Sequence, residues 1–330
     1  VAELALNGQH IEVDIREELE EFEWRNATWT ANKLIACSPF RDDNRPSFYC
    51  FLEDDLRTDA KAGFWGDSGG SGEYEKGGFI TLLSFLREET PEDTIEYLLD
   101  KYGTSDSSKF QFKKLRLKQD TIKKATLPHS LIKNLEPHDY LANRGIPKNI
   151  QRALKVGYDK QNKAIAFPWL LPNGELANIK YRKTTSKRFF YTKGGWSISK
   201  LLFGIQIFHQ KDYLDMAVIT EAEIDSLSCI VAGFPSLAIG GSKWSDHKKE
   251  MILGTNIKRV VIASDNDEAG RNLKQNITES LNGHVQILHV TFPADCKDCN
   301  DVLVKYGKSG LKQMIEQAKV GRPKFNLKLK

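Results

Sequence analysis

Between Tyr213 and Lys319 the chain alternates short apolar runs with amphipathic stretches, at 216–220, 224–232, 236–239, 245–252, 259–264, 268–282, 285–290, 300–306 and 309–319. Strand-like runs that each hand over to a helical period predict a parallel sheet wound on both sides by helices. Two of the strands end in acid. Met216-Ala-Val-Ile219 runs into Thr220-Glu221-Ala-Glu-Ile-Asp225, and Val260-Val-Ile-Ala263 runs into Ser264-Asp265-Asn-Asp267-Glu-Ala-Gly270. In an open sheet of this kind the C-terminal strand ends share one crevice, where ligands bind. Carboxylates gathered there repel one another unless a cation is held among them. Hard oxygen donors with open water positions suit Mg²⁺ or Mn²⁺, the metals of phosphoryl transfer. A lone Asp-x-Asp after a strand often does no more than cap the next helix. Here it is coupled to an upstream acidic strand end, to Gly240-Gly241 after the intervening strand, and to a third segment, Asp295-Cys-Lys-Asp298-Cys-Asn-Asp301.

The 330 residues exceed one comfortable core and predict more than one domain. We expect residues 1–102 to form a small α+β module, 103–127 a polar linker, 128–210 a mixed, basic subdomain, and 211–330 the α/β domain with a C-terminal tail. A net charge of +4 hides a strong asymmetry. Residues 1–101 carry 10 Lys/Arg against 23 Asp/Glu, residues 102–210 carry 21 against 6, and residues 211–330 carry 17 against 15. A basic middle segment beside an acidic crevice fits an enzyme that handles a polyanion. Apolar runs fall short of the roughly 20 residues of a membrane span, and the opening residues lack the features of a secretion signal. Five scattered cysteines give no disulfide framework, so we expect a reducing cytoplasm, bacterial or phage-infected.

In the first hundred residues, 33–37, 47–51 and 62–65 have short-strand composition. A glycine-rich loop, 66–78, leads to a helix over 79–86, and Thr90-Pro91 starts another. In the middle segment, a helix over 138–144 should end at Gly145 and Pro147 should start the next. Residues 164–171 and 175–182, joined through Asn173-Gly174, predict a hairpin.

The acidic segments together resemble the Toprim domain, shared by bacterial-type (DnaG family) primases, type IA and II topoisomerases and some nucleases. The resemblance makes Glu221, Asp265 and Asp267 the expected catalytic residues. It makes these three and Asp298 the expected metal ligands, with Asp225 and Asp301 in support. Ala222 stands where the family usually has glycine. Tyr140-Leu-Ala-Asn-Arg144-Gly145-Ile146 resembles an element of bacterial-type primases, and 157–204 follows the order of their polymerase subdomain. The resemblance implies that Arg144, Arg182, Lys187, Lys193 and Lys200 bind template or nucleotide. Arginine suits bidentate phosphate contacts and lysine serves as a point charge.

Cys37-Ser-Pro-Phe-Arg41 and Arg45-Pro-Ser-Phe48 resemble the opening of the primase zinc-binding domain. Arginine replaces one expected ligand at position 41, and Phe64-Trp-Gly-Asp-Ser68 has no Cys-x-x-Cys. A closed zinc site needs about four N/S ligands, so we expect a zinc-ribbon-like module without zinc, packed around Phe48, Phe51, Phe64 and Trp65. Cys296 and Cys299 are an isolated pair. The resemblance therefore implies a primase of phage or mobile-element type, making short RNA primers on single-stranded DNA from NTPs with Mg²⁺ or Mn²⁺. A replicative helicase is a candidate partner and a membrane is not. A Toprim-type metal-dependent nuclease and a non-catalytic nucleic-acid-binding replication factor stand as alternatives.

Overall fold

A computed structural model of the chain describes residues 2–55, 58–103, 125–241 and 243–320. The chain divides into two compact units, one of Val1–Leu86 with Thr90–Thr126 and one of Arg87–Glu89 with Leu127–Lys330. The expected linker falls almost wholly on residues 104–124, outside the described residues.

The first unit opens with a hairpin of Ala2–Leu6 and Gln9–Val13, turning at Asn7 and Gly8, both at positive φ. Helix Ile15–Glu20 follows. Thr28–Trp29, Lys33–Ala36, Phe48–Phe51, Trp65–Asp67 and Lys76–Gly77 then form a five-stranded antiparallel meander. The strand expected at 62–65 starts at Trp65 instead. Helices Phe79–Leu86 and Pro91–Tyr102 complete the unit, the second capped by Thr90, whose Oγ1 accepts from Asp93 N–H. The core contains Phe48 and Trp65 as expected, but its other buried aromatics are Phe40 and Phe79, with Trp24, Tyr74 and Phe85 among those packed against it. Successive strand residues face opposite ways, so Phe48 and Cys50 point into this core while Tyr49 and Phe51 meet edge to face on the other side. Phe64 is likewise outside the cluster.

Arg41 is the hub of a polar network in this unit. Its Nη2 lies 3.0 Å from Asp67 Oδ1, 2.9 Å from Asp43 Oδ2 and 2.6 Å from Ser47 Oγ. The Asp67 side chain is fully buried. Burial alone would raise its carboxyl, yet the hydrogen bonds from Arg41, Ser38, Gly69 and Ser47 hold it below the usual range. A hydrogen bond from Ser47 leads the effects that pull Asp43 down to about 2. Arg41→Met would strand a buried carboxylate and should destabilise this unit by about 2–4 kcal/mol, read by urea denaturation. Loss of less than about 0.5 kcal/mol would show that the network does not hold the unit together. Because both carboxyls lie lower than in the unfolded chain, their contribution is present at neutral pH and lost on acidification through the folded values.

The second unit contains two sheets. Gly157–Asp159, Ala164–Leu170, Leu176–Arg182 and Phe189–Tyr191 form an antiparallel sheet in chain order. The other has the order Ser236–Ala238, Met216–Thr220, Arg259–Ala263, Gln286–His289, Lys319–Val320. Its first four strands are parallel and the short last one is antiparallel. Alternate residues of these strands enter different cores. Val218, Ala238, Val261 and Ala263 pack with residues of helices Glu223–Ala232 and Cys299–Glu316. Ile219, Leu237, Val260 and Ile262 pack with residues of Ile205–Gln210, Asp246–Leu253 and Glu268–Leu281. Helices therefore cover both faces. The first of these cores also takes in Ile165, Phe167 and Trp169 of the antiparallel sheet. Gly240, at φ +76°, makes this possible, since a Cβ there would meet the Trp169 ring at 2.5 Å. Among the described residues no helix is long and apolar enough to cross a membrane.

Candidate functional site

Glu221 follows the strand Met216–Thr220, Asp225 lies in the first turn of Glu223–Ala232, and Asp265 and Asp267 follow Arg259–Ala263. Asp298 caps Cys299–Glu316. The strand-end turns are tied together by the Asp265 N–H, which donates to Glu221 Oε1 at 2.8 Å. Gly270 lets the next helix come in this close. A Cβ there would meet Asp265 O and, at 2.8 Å, Glu221 Oε1. Asp267 and Asp298 do cap helices, Asp267 Oδ1 accepting from Gly270 N–H at 2.8 Å and Asp298 Oδ1 from Asp301 N–H at 2.7 Å. Each cap occupies one carboxylate oxygen. The second oxygen of Asp267 lies 3.2 Å from Lys297 Nζ, which is also 3.5 Å from Asp265 Oδ2.

Burial and mutual repulsion raise these acids. Burial, followed by Asp265, pushes Glu221 up to about 8. Asp265 is pushed up to about 7, again by burial, with Lys297 opposing and Asp298 and Asp267 adding repulsion. Asp225 is raised well above the usual range by burial, Asp298 and Asp265. Burial alone would lower Lys297, but Asp265 and Asp267 raise it. Such a cluster of hard oxygen donors suits a divalent cation, which would relieve its repulsion. Among the described residues no three acidic, histidine or cysteine side chains stand together as a finished ligand set. Lys297 supplies the local positive charge instead. Asp301 is turned elsewhere, its Oδ2 accepting from Lys297 N–H at 3.1 Å.

Of the expected cations, Arg144 reaches this region. Its guanidinium lies 5.0 Å from the Tyr140 ring centre and 3.3 Å from Asn300 Oδ1. Arg182 is mostly buried at the end of its strand, and Glu88 and Tyr140 raise it against the effect of burial. Lys187, Lys193 and Lys200 are exposed, on the turn after that strand and in the loop and 3₁₀ turn beyond.

Sequence reasoning missed Lys180. It is 1% exposed, with Nζ 2.8 Å from Glu88 Oε2 and 3.5 Å from Glu223 Oε2. Trp169 Nε1 donates to the other oxygen of Glu223 at 3.1 Å. The available signal was the alternation Asn178-x-Lys180-x-Arg182, three polar residues on one strand face, all of them buried or half-buried. Glu223 starts the helix two residues after Glu221, so this buried pair anchors the turn that presents Glu221.

An uncharacterized protein of Mycoplasma genitalium is 30% identical to this chain over 175 residues, which are 50% of this chain and 78% of that protein. The chain belongs to that protein's family. Its residues 218–303 match the Toprim-like family, and this stretch holds all six acidic residues singled out above. The Gene 57 protein of Mycobacterium phage D29 is 30% identical over 103 residues, 31% of this chain. The match spans 62% of the phage protein, less than two thirds of its length. Primases are among the solved structures similar to this chain. The Aquifex aeolicus primase (zinc-binding and RNA polymerase domains) has 18% identity and a TM-score of 0.49, over 93% of this chain and 83% of that one. The primase fragment of the bacteriophage T7 primase-helicase protein has 20% identity and a TM-score of 0.45, over 55% and 74%.

Proposed function

We propose that the chain is a primase that joins ribonucleotides on a single-stranded DNA template. The observation that carries this reading is the meeting of Glu221, Asp225, Asp265, Asp267 and Asp298 at parallel strand ends, with Arg144 hydrogen-bonded to the helix that Asp298 caps. Glu221, Asp265, Asp267 and Asp298 would hold a divalent cation, Mg²⁺ or Mn²⁺, with Asp225 in support. When bound, it would neutralise charge on the reacting phosphates and favour ionisation of the attacking hydroxyl. The protein's own groups bind and orient. Arg144 contacts the template, while Arg182, Lys187, Lys193 and Lys200 hold nucleotide or template phosphates. Lys297 screens Asp265 and Asp267 until a cation arrives. Asp301, turned onto the Lys297 backbone, shapes the third acidic loop. The N-terminal unit corresponds in this reading to a zinc-binding-type module whose metal is replaced by the Arg41–Asp67 network. A replicative helicase is the expected partner.

Incubation with single-stranded DNA, labelled NTPs and Mg²⁺ or Mn²⁺ tests this directly. Short labelled primers are expected, and DNA cutting without an NTP requirement would point to a nuclease. Binding to single-stranded DNA should weaken steeply with salt, with a log–log slope near about −0.7 per neutralised phosphate. Arg182→Ala and Lys187→Ala should mainly raise the NTP concentration needed. A salt-independent affinity would rule out the basic segment as the template surface.

A further inference from the structure

We propose that Asn300 is a positioning residue that fastens Arg144 to the carboxylate cluster and so holds template contact and acidic site in one register. What Arg144 touches rests on the primase reading, whereas the fastening itself is seen in the hydrogen bonds. Asn300 is 6% exposed and engages its backbone N–H and both ends of its amide. Its Nδ2 donates to Arg144 O at 2.8 Å and to Ser228 Oγ at 3.0 Å. Its Oδ1 accepts from Arg144 Nη1 at 3.3 Å. Its backbone N–H donates to Asp225 Oδ1 at 2.8 Å. One residue therefore joins the Arg144 backbone, the Arg144 guanidinium, helix Glu223–Ala232 and an acid of the cluster.

The neighbouring packing has the same consequence. Gly145, at φ +79°, has Leu303 Cδ2 3.0 Å from where a Cβ would stand. Leu303 lies three residues after Asn300, on the same helix face. The helix thus grips the Arg144-Gly145 turn with a polar residue and an apolar one, while Asp298 sits at its cap. An amide meets these demands and a hydroxyl does not, because the site takes two donated hydrogen bonds, to Arg144 O and Ser228 Oγ, and one accepted bond from a single short side chain. An aspartate could not donate to the Arg144 carbonyl, and an alanine would leave that carbonyl without its partner.

A double-mutant cycle read by binding of a fluorescein-labelled single-stranded oligonucleotide to the full chain, with chelator and without nucleotide, tests the assignment. Arg144→Ala and Asn300→Ala should each weaken binding by about tenfold. The double variant should bind no more weakly than Arg144→Ala alone, because Asn300 acts through Arg144. A residue that merely supports the fold would lower the melting temperature and give losses that multiply. Multiplying losses, or wild-type binding by either single variant, would overturn the proposal. Should Asn300→Ala fail to fold, Ser228→Ala removes one partner of the same amide. Its smaller loss should also vanish in the Arg144→Ala background, and its persistence there would overturn the proposal too. Failure of the unaltered protein to make primers would remove the primase reading and leave this cycle readable.

Discussion

Asp265→Asn is expected to abolish nucleotide incorporation and yet, in chelator at pH 8, to raise the melting temperature. Most substitutions of a buried residue destabilise, so the sign is diagnostic. Asp265 stands at about 7 in the folded protein against an ordinary 3.8, and Glu221 at about 8 against 4.5. The folded state therefore holds more protons than the unfolded state across that interval. Stability without a divalent cation should fall as pH rises from about 4 to about 8. Removing one carboxylate relieves its neighbours and flattens that dependence. The gain should be a few degrees, with about 1 kcal/mol corresponding to roughly 2–4 °C in a unit of this size. Added Mg²⁺ should stabilise the unaltered protein at pH 8 and stabilise the variant less. Incorporation should drop by at least about 10²-fold. A variant that keeps incorporating, or that melts below the unaltered protein in chelator at pH 8, would show that the cluster is not the cation site.

Lys180→Met should be among the most damaging single changes in the second unit. Burial alone would lower the Lys180 ammonium, but Glu223 and Glu88 raise it, so it is held charged inside the protein. Phe189 lies 5.0 Å from Nζ. Methionine fills much of the same volume but leaves the buried Glu223 without its cation, at a cost of about 3–5 kcal/mol. Adding Glu223→Gln should recover most of that loss, because a neutral amide can still accept from Trp169 Nε1. Chemical denaturation of the two single variants and the double variant measures this. If the double variant is no more stable than Lys180→Met alone, the charge pair is not what fixes the turn before Glu221.

The sequence was most informative where local period and local chemistry agree. From Tyr213 to Glu316 the strands and helices could be placed because side chains alternate in strands and recur every 3.6 residues in helices, whereas the short antiparallel strand Lys319–Val320 was not legible. The break between 306 and 309 appears as Gly307 at φ +69° inside one long helix. Acidic residues at strand ends were legible for the same reason, since where a parallel strand ends fixes which crevice its side chains enter. An Asn-Gly turn marks the 164–182 hairpin, and the same signal at Asn7-Gly8 marks the opening hairpin. The N-terminal core was half legible. Three of its strands could be read in part, but side-chain alternation turns Phe51 away from the core that Phe48 enters, and Phe40 joins that core from a loop no periodicity marks.

Tertiary structure decided what depends on partners distant in sequence. Lys180 is buried because Glu223 and Trp169 come to it from other strands and turns, and Asn300 meets Arg144 across 156 positions. Asp301 shares its motif with Asp298 yet turns to the Lys297 backbone, because from the first turn of the helix that Asp298 caps its carboxylate folds back onto the N–H just before the cap. Nothing in a linear pattern encodes such pairings. They follow from which helix covers which face of the sheet, and that is settled only when the two sheets of the second unit close on one core.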